Sequence, residues 1–265
     1  MSDLRAGMHR GRGQRLSEIV RLLHSGVTRV EDLAVAVKIS ESTVRRDPAS
    51  LEAEGAIART YGGAQPFAPF RETLLHDRMS VEVEAKTRIG AAAAELVEDG
   101  STIFVDAGTT TAHLVECPGG RTDLIVLTRG LEIALAPADS PIEVIVVGGA
   151  VSSSSHGMTG AVSQLVLERF AVDIAFLGCD AVHPDRGVGE PTIEEAATKE
   201  VAARNARRSV VSAHAAKLTA GAVPAWAPLP LGWTLVTDES SEARLQPYRD
   251  AGVELIAAGA RLRER

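Results

Sequence analysis

Apolar residues recur at helical spacing through the first part of the chain. They predict a helix over about 9–24, a second from about Val30 to Val37, and a third that begins near Glu41. Ser40 precedes the third helix and is a suitable N-cap, because its hydroxyl can accept a hydrogen bond from a free amide. The alternation in residues 56–64 predicts a small β-hairpin. Three short helices followed by a hairpin are typical of a winged helix-turn-helix.

The pattern changes further along the chain. Residues 65–80 contain two prolines and show no clear period, which predicts a linker. Beyond it, short apolar runs lie at 102–106, 124–128, 142–149, 172–178, 209–213, 233–238 and 253–257. Helical stretches lie between most of them, at 81–98, 130–137, 160–169, 191–207 and 241–251. Apolar strands separated by helices predict a Rossmann-like α/β domain, in which a parallel sheet is covered on both faces. The expected domains are 1–64, the linker 65–80, and 81–265.

Composition narrows the class of protein. Apolar residues make up 45% of the 265 residues, which is enough for a sizeable core. No uncharged apolar run approaches the roughly 18 residues of a membrane helix, and the N-terminus lacks the apolar stretch of a signal peptide. The two cysteines and seven histidines show no metal-ligand spacing, so we expect neither a metal nor a cofactor. We therefore expect a soluble cytoplasmic protein.

Charge divides unevenly between the two predicted domains. Residues 1–64 contain ten Lys and Arg against eight Asp and Glu, whereas residues 65–265 contain 18 against 27. A weakly basic head on an acidic body is compatible with a DNA-reading module attached to a body that does not contact DNA.

The head carries the most specific motif of the chain, which resembles the DeoR family of bacterial transcriptional repressors. The residues that stand in register with that family are Leu33, Ala34, Ser40, Thr43, Val44, Arg45, Arg46, Asp47, Leu51, Glu52, Gly55, Arg59, Tyr61, Gly62, Gly63 and Ala64. The resemblance implies a winged helix-turn-helix that binds double-stranded operator DNA. It also implies a homo-oligomer, dimer or tetramer, because one winged helix reads few base pairs.

The chemistry of these residues fits DNA contact. Hydroxyls and backbone amides suit phosphates, and the forked donors of arginine suit guanine edges. The residues expected to contact DNA are Ser40, Ser42, Thr43, Arg45, Arg46, Arg59, Tyr61 and Gly62. Without the surrounding motif, Arg45 and Arg46 would equally suit a solvated face that pairs with neighbouring acids.

Pro48 departs from the family, which has leucine there. Val44, Pro48 and Leu51 share the predicted buried stripe of the recognition helix, and an interior proline costs about 3 kcal/mol. We expect the helix to kink or break near residues 47–48. Pro48→Leu should then raise both the melting temperature and the operator affinity, and no rise in either would show that the helix accommodates proline.

The rest of the chain resembles the family's C-terminal effector domain, which is similar in fold to ribose-5-phosphate isomerase and binds phosphorylated sugars or related metabolites. The segment from Asp106 to Thr111 follows a predicted strand and precedes a helix, so its amides and threonine hydroxyls suit phosphate oxygens. Alternatively, the segment is only a threonine-capped turn. The residues expected to bind effector are Asp106, Gly108, Thr109, Thr110, Thr111, Arg129, Gly148, Gly149, Asp180, Glu195, Lys199 and Lys217.

Several of these positions have a second interpretation. Asp106 would repel a phosphate, so it either accepts a sugar hydroxyl or braces the loop. Gly148 and Gly149 could serve only tight packing, and Glu195 and Lys199 have the i, i+4 spacing of an ordinary surface pair. Where the family has Asp and Asn, this chain has His214 and Arg129. These departures suggest a changed effector, a more anionic one being one option, and they leave open a site that does not respond.

Three functions remain after this reading. The first is a repressor of carbohydrate genes that a phosphorylated sugar or related metabolite releases from its operator. The second is an isomerase-like enzyme acting on a sugar phosphate. It is disfavoured because catalysis needs a positioned base and electrophile, and no catalytic residue stands out. The third is a DNA-binding protein with a body that senses nothing.

Overall fold

A computed structural model describes residues 30–40, 43–44, 57–60, 63–66, 74–115, 122–136, 142–218 and 223–259. The chain divides into two compact units, Met1–Pro69 and Phe70–Arg265. Within the described ranges, no helix combines the length and the apolar character needed to cross a membrane.

The described part of the first unit agrees with the predicted head. Helix α1 (Val30–Val37) is the predicted second helix, and its Leu33 is completely buried. The backbone N–H of Thr43 donates to Oγ of Ser40 over 3.3 Å, so the predicted N-cap is confirmed. Val44, on the expected buried stripe, is completely buried.

The predicted β-hairpin is also present in this unit. Strand β1 (Ile57–Thr60) pairs antiparallel with β2 (Gly63–Pro66), and Arg59 lies opposite Ala64. The predicted first helix and the kink expected at Pro48 lie outside the described residues.

The second unit is built on a seven-stranded parallel sheet. The described strands of this unit, inside and outside the large sheet, are β3 (Thr102–Val105), β4 (Ile125–Thr128), β5 (Glu143–Val146), β6 (Ala150–Val151), β7 (Met158–Thr159), β8 (Val172–Leu177), β9 (Ala181–His183), β10 (Gly187–Glu190), β11 (Ala206–Ser212), β12 (Ala225–Ala227), β13 (Thr234–Thr237) and β14 (Glu254–Ala257). All pairings in the large sheet are parallel, and its order is β14-β13-β11-β8-β3-β4-β5. Each of the seven apolar runs is one of its strands, so the predicted sheet is confirmed.

Helices cover both faces of this sheet. They are α2 (Leu75–Met79), α3 (Val83–Ala94), α4 (Thr109–Val115), α5 (Leu131–Leu135), α6 (Ala161–Leu167), α7 (Ile193–Arg204) and α8 (Glu242–Asp250). Alternate strand residues supply two separate cores: Phe104 packs in one cluster, and its neighbours Ile103 and Val105 pack in the other. This alternation is the reason why the strands are apolar without interruption.

The structure differs from the sequence prediction in residues 65–80. Strand β2 extends to Pro66, and α2 occupies part of the predicted linker. Leu75 is buried, and its N–H donates to the carbonyl of Ser154 over 2.8 Å. A helix of five residues is too short to display a helical period, so the pattern of the sequence does not reveal it. Strands β6 and β7 and the small antiparallel sheet β12-β10-β9 are likewise too short for the pattern of the sequence to reveal them.

Candidate functional site

The strand order creates a crevice at one edge of the sheet. Strands β3 and β8 are neighbours, but β4 and β5 extend from β3 in one direction whereas β11, β13 and β14 extend from β8 in the other. Ligands of open α/β sheets bind at the carboxyl ends of the strands on each side of such a reversal. A cleft of about 240 Å³ opens there.

Asp106 connects the strand ends at this crevice. It lies directly after β3, is completely buried, and its Oδ1 is 2.5 Å from Nε of Arg129, which follows β4. Its Oδ2 accepts the N–H of Gly178, which follows β8, over 3.0 Å. Burial disfavours the charged form, but Arg129 and Lys199 hold the pKa of Asp106 below its usual value. Asp106 therefore braces the floor of the cleft.

Lys199, on α7, holds the same floor from the other side. Its Nζ lies 3.0 Å from Oδ2 of Asp106, donates to the carbonyl of Gly178 over 3.0 Å, and pairs with Glu190. An ammonium group has three N–H donors, and these contacts use all of them. Burial opposes the charge, yet Asp106 and Glu190 raise the pKa of Lys199 above its usual value. Lys199 thus positions its neighbours and stays charged.

Two glutamates complete the inner end of the cleft, which we define as Asp106, Arg129, Glu190, Glu195 and Lys199. Burial outweighs the opposing charge of Lys199 and, together with Asp180 and Asp106, raises the pKa of Glu190 to about 8. Oε1 of Glu195 accepts the hydroxyl of Ser155 over 2.8 Å and lies 3.6 Å from Nη1 of Arg129. Glu190 is therefore mostly protonated near neutral pH, and the carboxylates of Asp106 and Glu195 balance the two cations at this end.

The outer end of the cleft, which we define as Arg78, Lys86, Asp180 and Lys217, has the opposite balance. Nζ of Lys217 is 2.7 Å from Oδ1 of Asp180, and Nη1 of Arg78 is 3.6 Å from the same oxygen. Nζ of Lys86 donates to the carbonyl of Arg78 over 2.5 Å. Burial, together with the cations of Lys217 and Arg78, lowers the pKa of Lys86 to about 8 against the opposing charge of Glu82. Three cations against two carboxylates, those of Asp180 and Glu82, leave this end with a net positive charge.

The loop after β3 forms one wall between the two ends. Gly108, Thr109 and Thr110 line the cleft. Thr111 is directed inwards instead, and its hydroxyl donates to the carbonyl of Asp106 over 2.6 Å. On the far wall, burial raises the pKa of the Cys179 thiol to about 12, so this thiol stays protonated.

Comparison with known proteins assigns this architecture to a family. The family model of the DeoR C-terminal sensor domain matches residues 81–239, and that of the DeoR-like helix-turn-helix domain matches residues 15–68. The chain belongs to the DeoR family. The resemblance seen in the head motif is thereby confirmed, and this DeoR-family chain is a transcriptional regulator with a DNA-binding domain and a sensor domain.

Several curated relatives match most of this DeoR-family regulator. The HTH-type transcriptional regulator FruR of Bacillus subtilis is 30% identical over 86% of this chain and 90% of its own length. A putative aga operon transcriptional repressor of Escherichia coli O157:H7 is 29% identical over 94% of this chain and 95% of its own. The glycerol-3-phosphate regulon repressor of Escherichia coli K12 is 29% identical over 73% and 78%. These relatives are regulators and not enzymes.

One solved structure that resembles part of the regulator is an isomerase. Ribose 5-phosphate isomerase A of Methanocaldococcus jannaschii is 20% identical, covers 49% of this chain and 51% of its own, and has a TM-score of 0.36. A score of this size is too low to support an inference.

The structure brings most of the expected effector residues together. Gly108, Thr109, Thr110, Arg129, Asp180, Glu195, Lys199 and Lys217 line the cleft, and Asp106 lies beneath them. Glu195 and Lys199 are both buried, so they are not a surface pair. Gly148 and Gly149 lie between β5 and β6, where the carbonyl of Gly148 accepts the hydroxyl of Ser163 over 2.5 Å.

The expected DNA contacts fall mostly outside the described residues. Ser40 and Thr43 are described, and their hydroxyls lie 2.9 Å apart. The residues outside the description are Ser42, Arg45, Arg46, Tyr61, Gly62 and the side chain of Arg59. The placement of all eight on DNA stays a prediction.

The regulator's cleft also contains residues that the sequence did not single out. They are Arg78, Lys86, Ser155 and Glu190. Lys86 left a signal in the sequence, because with Ile89 and Ala93 it occupies positions i, i+3 and i+7 of α3, the buried stripe of that helix. Lysine is almost never fully buried unless its ammonium group has a partner, so a lysine at such a position indicates a specific polar contact. Arg78 and Glu190 left no comparable pattern.

Proposed function

We propose that this regulator represses carbohydrate genes and leaves its operator when a phosphorylated sugar or related metabolite binds in the cleft. In this proposal it acts in the cytoplasm as a homo-oligomer on double-stranded operator DNA. The relatives support the direction of control, since two of those described above are repressors by name. Effector binding would shift the protein towards a form with lower affinity for DNA.

One observation carries the choice of effector: the net positive charge of the outer end. Arg78 and Lys217 both lie against the carboxylate of Asp180, and Lys86, on which the carboxylate of Glu82 acts, adds a third cation. A phosphate carries nearly two negative charges near neutral pH and accepts several hydrogen bonds, so it matches this excess of cations. The hydroxyls of Thr109 and Thr110 on the adjacent wall add neutral donors.

Effector binding can be tested on the purified full-length protein by calorimetry with ribose 5-phosphate, glucose 6-phosphate and the parent sugars. We expect at least one phosphorylated sugar to bind and its parent sugar to bind at least tenfold more weakly. Lys217→Met should weaken this binding by about tenfold or more, because the variant loses a charge-assisted contact. Arg207→Met, which removes an exposed cation far from the cleft, is the matched control. Equal binding of sugar and sugar phosphate would contradict the proposal.

The DNA-binding half is tested separately by retention on fragments of genomic DNA. Retention should fall steeply with salt concentration, because phosphate contacts release counterions. Replacing both Arg45 and Arg46 with alanine should abolish specific retention. If the purified chain retains no fragment in a salt-dependent manner, or if the double variant retains DNA as the wild type does, the operator-binding proposal fails.

A further inference from the structure

One long side of strand β5 has no partner strand. Strand β5 ends the order of the large sheet, and within the described ranges it pairs with β4 alone. The N–H of Val147, the residue after β5, donates to the carbonyl of Thr128 in β4 over 3.0 Å. Successive N–H groups point to opposite sides of a strand, so the N–H of Val146 points away from β4. The free side therefore offers a row of backbone donors and acceptors to another strand.

Aliphatic side chains lie beside this free side. A Cβ atom on Gly148, which follows β5, would lie 3.5 Å from Cγ1 of Val162, so helix α6 begins against the end of the strand. Val162 and Leu165 are about one turn apart on α6 and share a face. We define the β5 patch as Val146, Val151, Val162 and Leu165, whose exposed fractions are 44–57%. Exposed apolar patches that extend over several such side chains mark interaction sites.

Strand β5 lacks the residues that keep a free strand from pairing. Natural proteins protect such strands with lysine, proline or a charge in the middle of the strand, or they cover them with another element. Strand β5 contains neither lysine nor proline, and its one charged residue, Glu143, is its first. An aliphatic strand side of this kind is prone to aggregation when it stays open. We therefore expect a partner to cover it.

A second copy of this chain matches the free side in backbone, charge and area. Two-fold symmetry brings the same surface of both copies together, so β5 would pair with β5. An antiparallel pairing sets the two Glu143 carboxylates at opposite ends, whereas a parallel pairing would place these like charges together. A stable interface buries about 800 Å² on each partner around an apolar core, and the β5 patch supplies such a core.

We propose that two copies of this chain pair antiparallel through the free side of β5, so that their large sheets form one continuous sheet with the β5 patch buried at the junction. This inference rests on the proposed function, which requires a homo-oligomer, and it assigns the surface that forms it. The dimer carries two DNA-binding heads, as the reading of two half-sites requires. No residue of the β5 patch lines the cleft, so the pairing leaves the cleft open to a ligand.

Sedimentation velocity of the full-length protein, over a series of micromolar concentrations, tests the pairing. Val146→Pro removes the N–H that points to the free side but no hydrogen bond to β4, so it blocks the pairing and leaves the sheet intact. Val162→Glu places a charge in the buried junction. We expect each variant to raise the dissociation constant of the dimer at least about tenfold. Leu231→Glu is the matched control, since Leu231 is 98% exposed and lies outside the β5 patch, and it should associate as the wild type does.

The outcomes separate this inference from the proposed function. A wild type that stays monomeric over the whole series overturns both the inference and the homo-oligomer of the proposed function. A wild-type dimer that persists in Val146→Pro and Val162→Glu overturns the inference alone, because the copies then pair elsewhere. Dissociation of Val162→Glu with a persistent Val146→Pro dimer overturns the continuous sheet. Circular dichroism and urea unfolding verify that the variants are folded, as expected for changes at exposed positions.

Discussion

The two edges of the parallel sheet carry the same pairs of residue types in different surroundings. At the edge where the strands begin, Arg207 lies 3.4 Å from Asp173 and Arg208 lies 2.6 Å from Glu254. The side chain of Arg207 is 84% exposed. At the opposite edge, where the strands end, Arg129 lies 2.5 Å from Asp106, and both side chains are at most 1% exposed. Both edges have arginine–carboxylate pairs, but only the pair at the carboxyl edge is buried away from water.

Burial decides what such pairs can do. Water and salt screen an exposed pair, so it contributes only about 0–1 kcal/mol. A buried pair must satisfy every donor and acceptor within the protein or with a ligand. At the buried edge, Nη1 of Arg129 and Oγ of Ser212 have no hydrogen-bond partner among the described residues. The difference teaches that identical ion pairs mark a binding site at one edge and a solvated surface at the other.

The largest expected effect is on stability. Arg129→Met leaves Asp106 buried with Lys199 as its one remaining cation, and we expect the free energy of unfolding in urea to fall by about 3–5 kcal/mol. Arg207→Met at the exposed edge should lower it by less than about 1 kcal/mol. Similar losses for the two variants would remove the distinction between the edges.

Two glycines extend the comparison to the backbone. Gly149 follows β5 at the carboxyl edge, has a φ of +121°, and a Cβ there would lie 2.4 Å from the carbonyl of Thr159. Gly252 precedes β14 at the amino edge, has a φ of +77°, and a Cβ there would meet open space. Gly252→Ala should cost about 1 kcal/mol, the ordinary strain of a left-handed residue, and Gly149→Ala about 2 kcal/mol more. Unfolding in urea measures the loss of stability in both variants. Equal losses would show that the backbone at the carboxyl edge shifts readily to make room for a Cβ atom.

Glu190 should give the buried edge a pH dependence. Its pKa in the folded protein is about 8, well above the ordinary value, so the folded state keeps a proton that the unfolded state has released. The free energy of unfolding should therefore fall as the pH rises from about 5 to 8, by at most about 1.4 kcal/mol per pH unit for this proton. Above pH 8 both states are ionised and this contribution levels off.

Unfolding in urea between pH 5 and 9 checks this dependence. Glu190→Gln should lose the part of the slope that belongs to this proton. Glu254→Gln, at the exposed edge, should keep it. A slope that persists in Glu190→Gln would assign the proton to another group.

The smallest expected effect concerns the affinity for a phosphorylated ligand. Lys86 has a pKa of about 8, so it loses its charge between pH 7 and 9, whereas a phosphate monoester stays doubly charged over that range. The dissociation constant should rise several-fold across this interval, and Lys86→Met should bind more weakly at pH 7 with little further loss at pH 9. Calorimetry at pH 7 and pH 9 measures the dissociation constants of the wild type and the variant. Constant affinity in the wild type would mean that Lys86 does not face the phosphate.

The sequence predicts the sheet and part of the cleft, for reasons of spacing. All seven strands could be located because each is an apolar run bounded by polar or glycine residues, and a strand buried on both faces needs no other signal. Asp106, Arg129 and Asp180 could be selected because each directly follows or lies near the end of a strand, and parallel strands end at one edge. Arg78 and Glu190 could not, since α2 and the small sheet that carry them are too short to have a period.

The sequence by itself determined the local features of this protein: the motif of the head, the seven strands of the large sheet with the longer helices between them, and the candidates at the strand ends. Tertiary structure decided which charges lose their water and which partners they then have. Lys199 pairs with Asp106 and Glu190 and not with Glu195, its expected partner on the same helix. The reason is that periodicity is a property of neighbours along the chain, whereas desolvation depends on every element packed around a group. No spacing in the sequence could show that Arg129 is neutralised while one of its donors stays free.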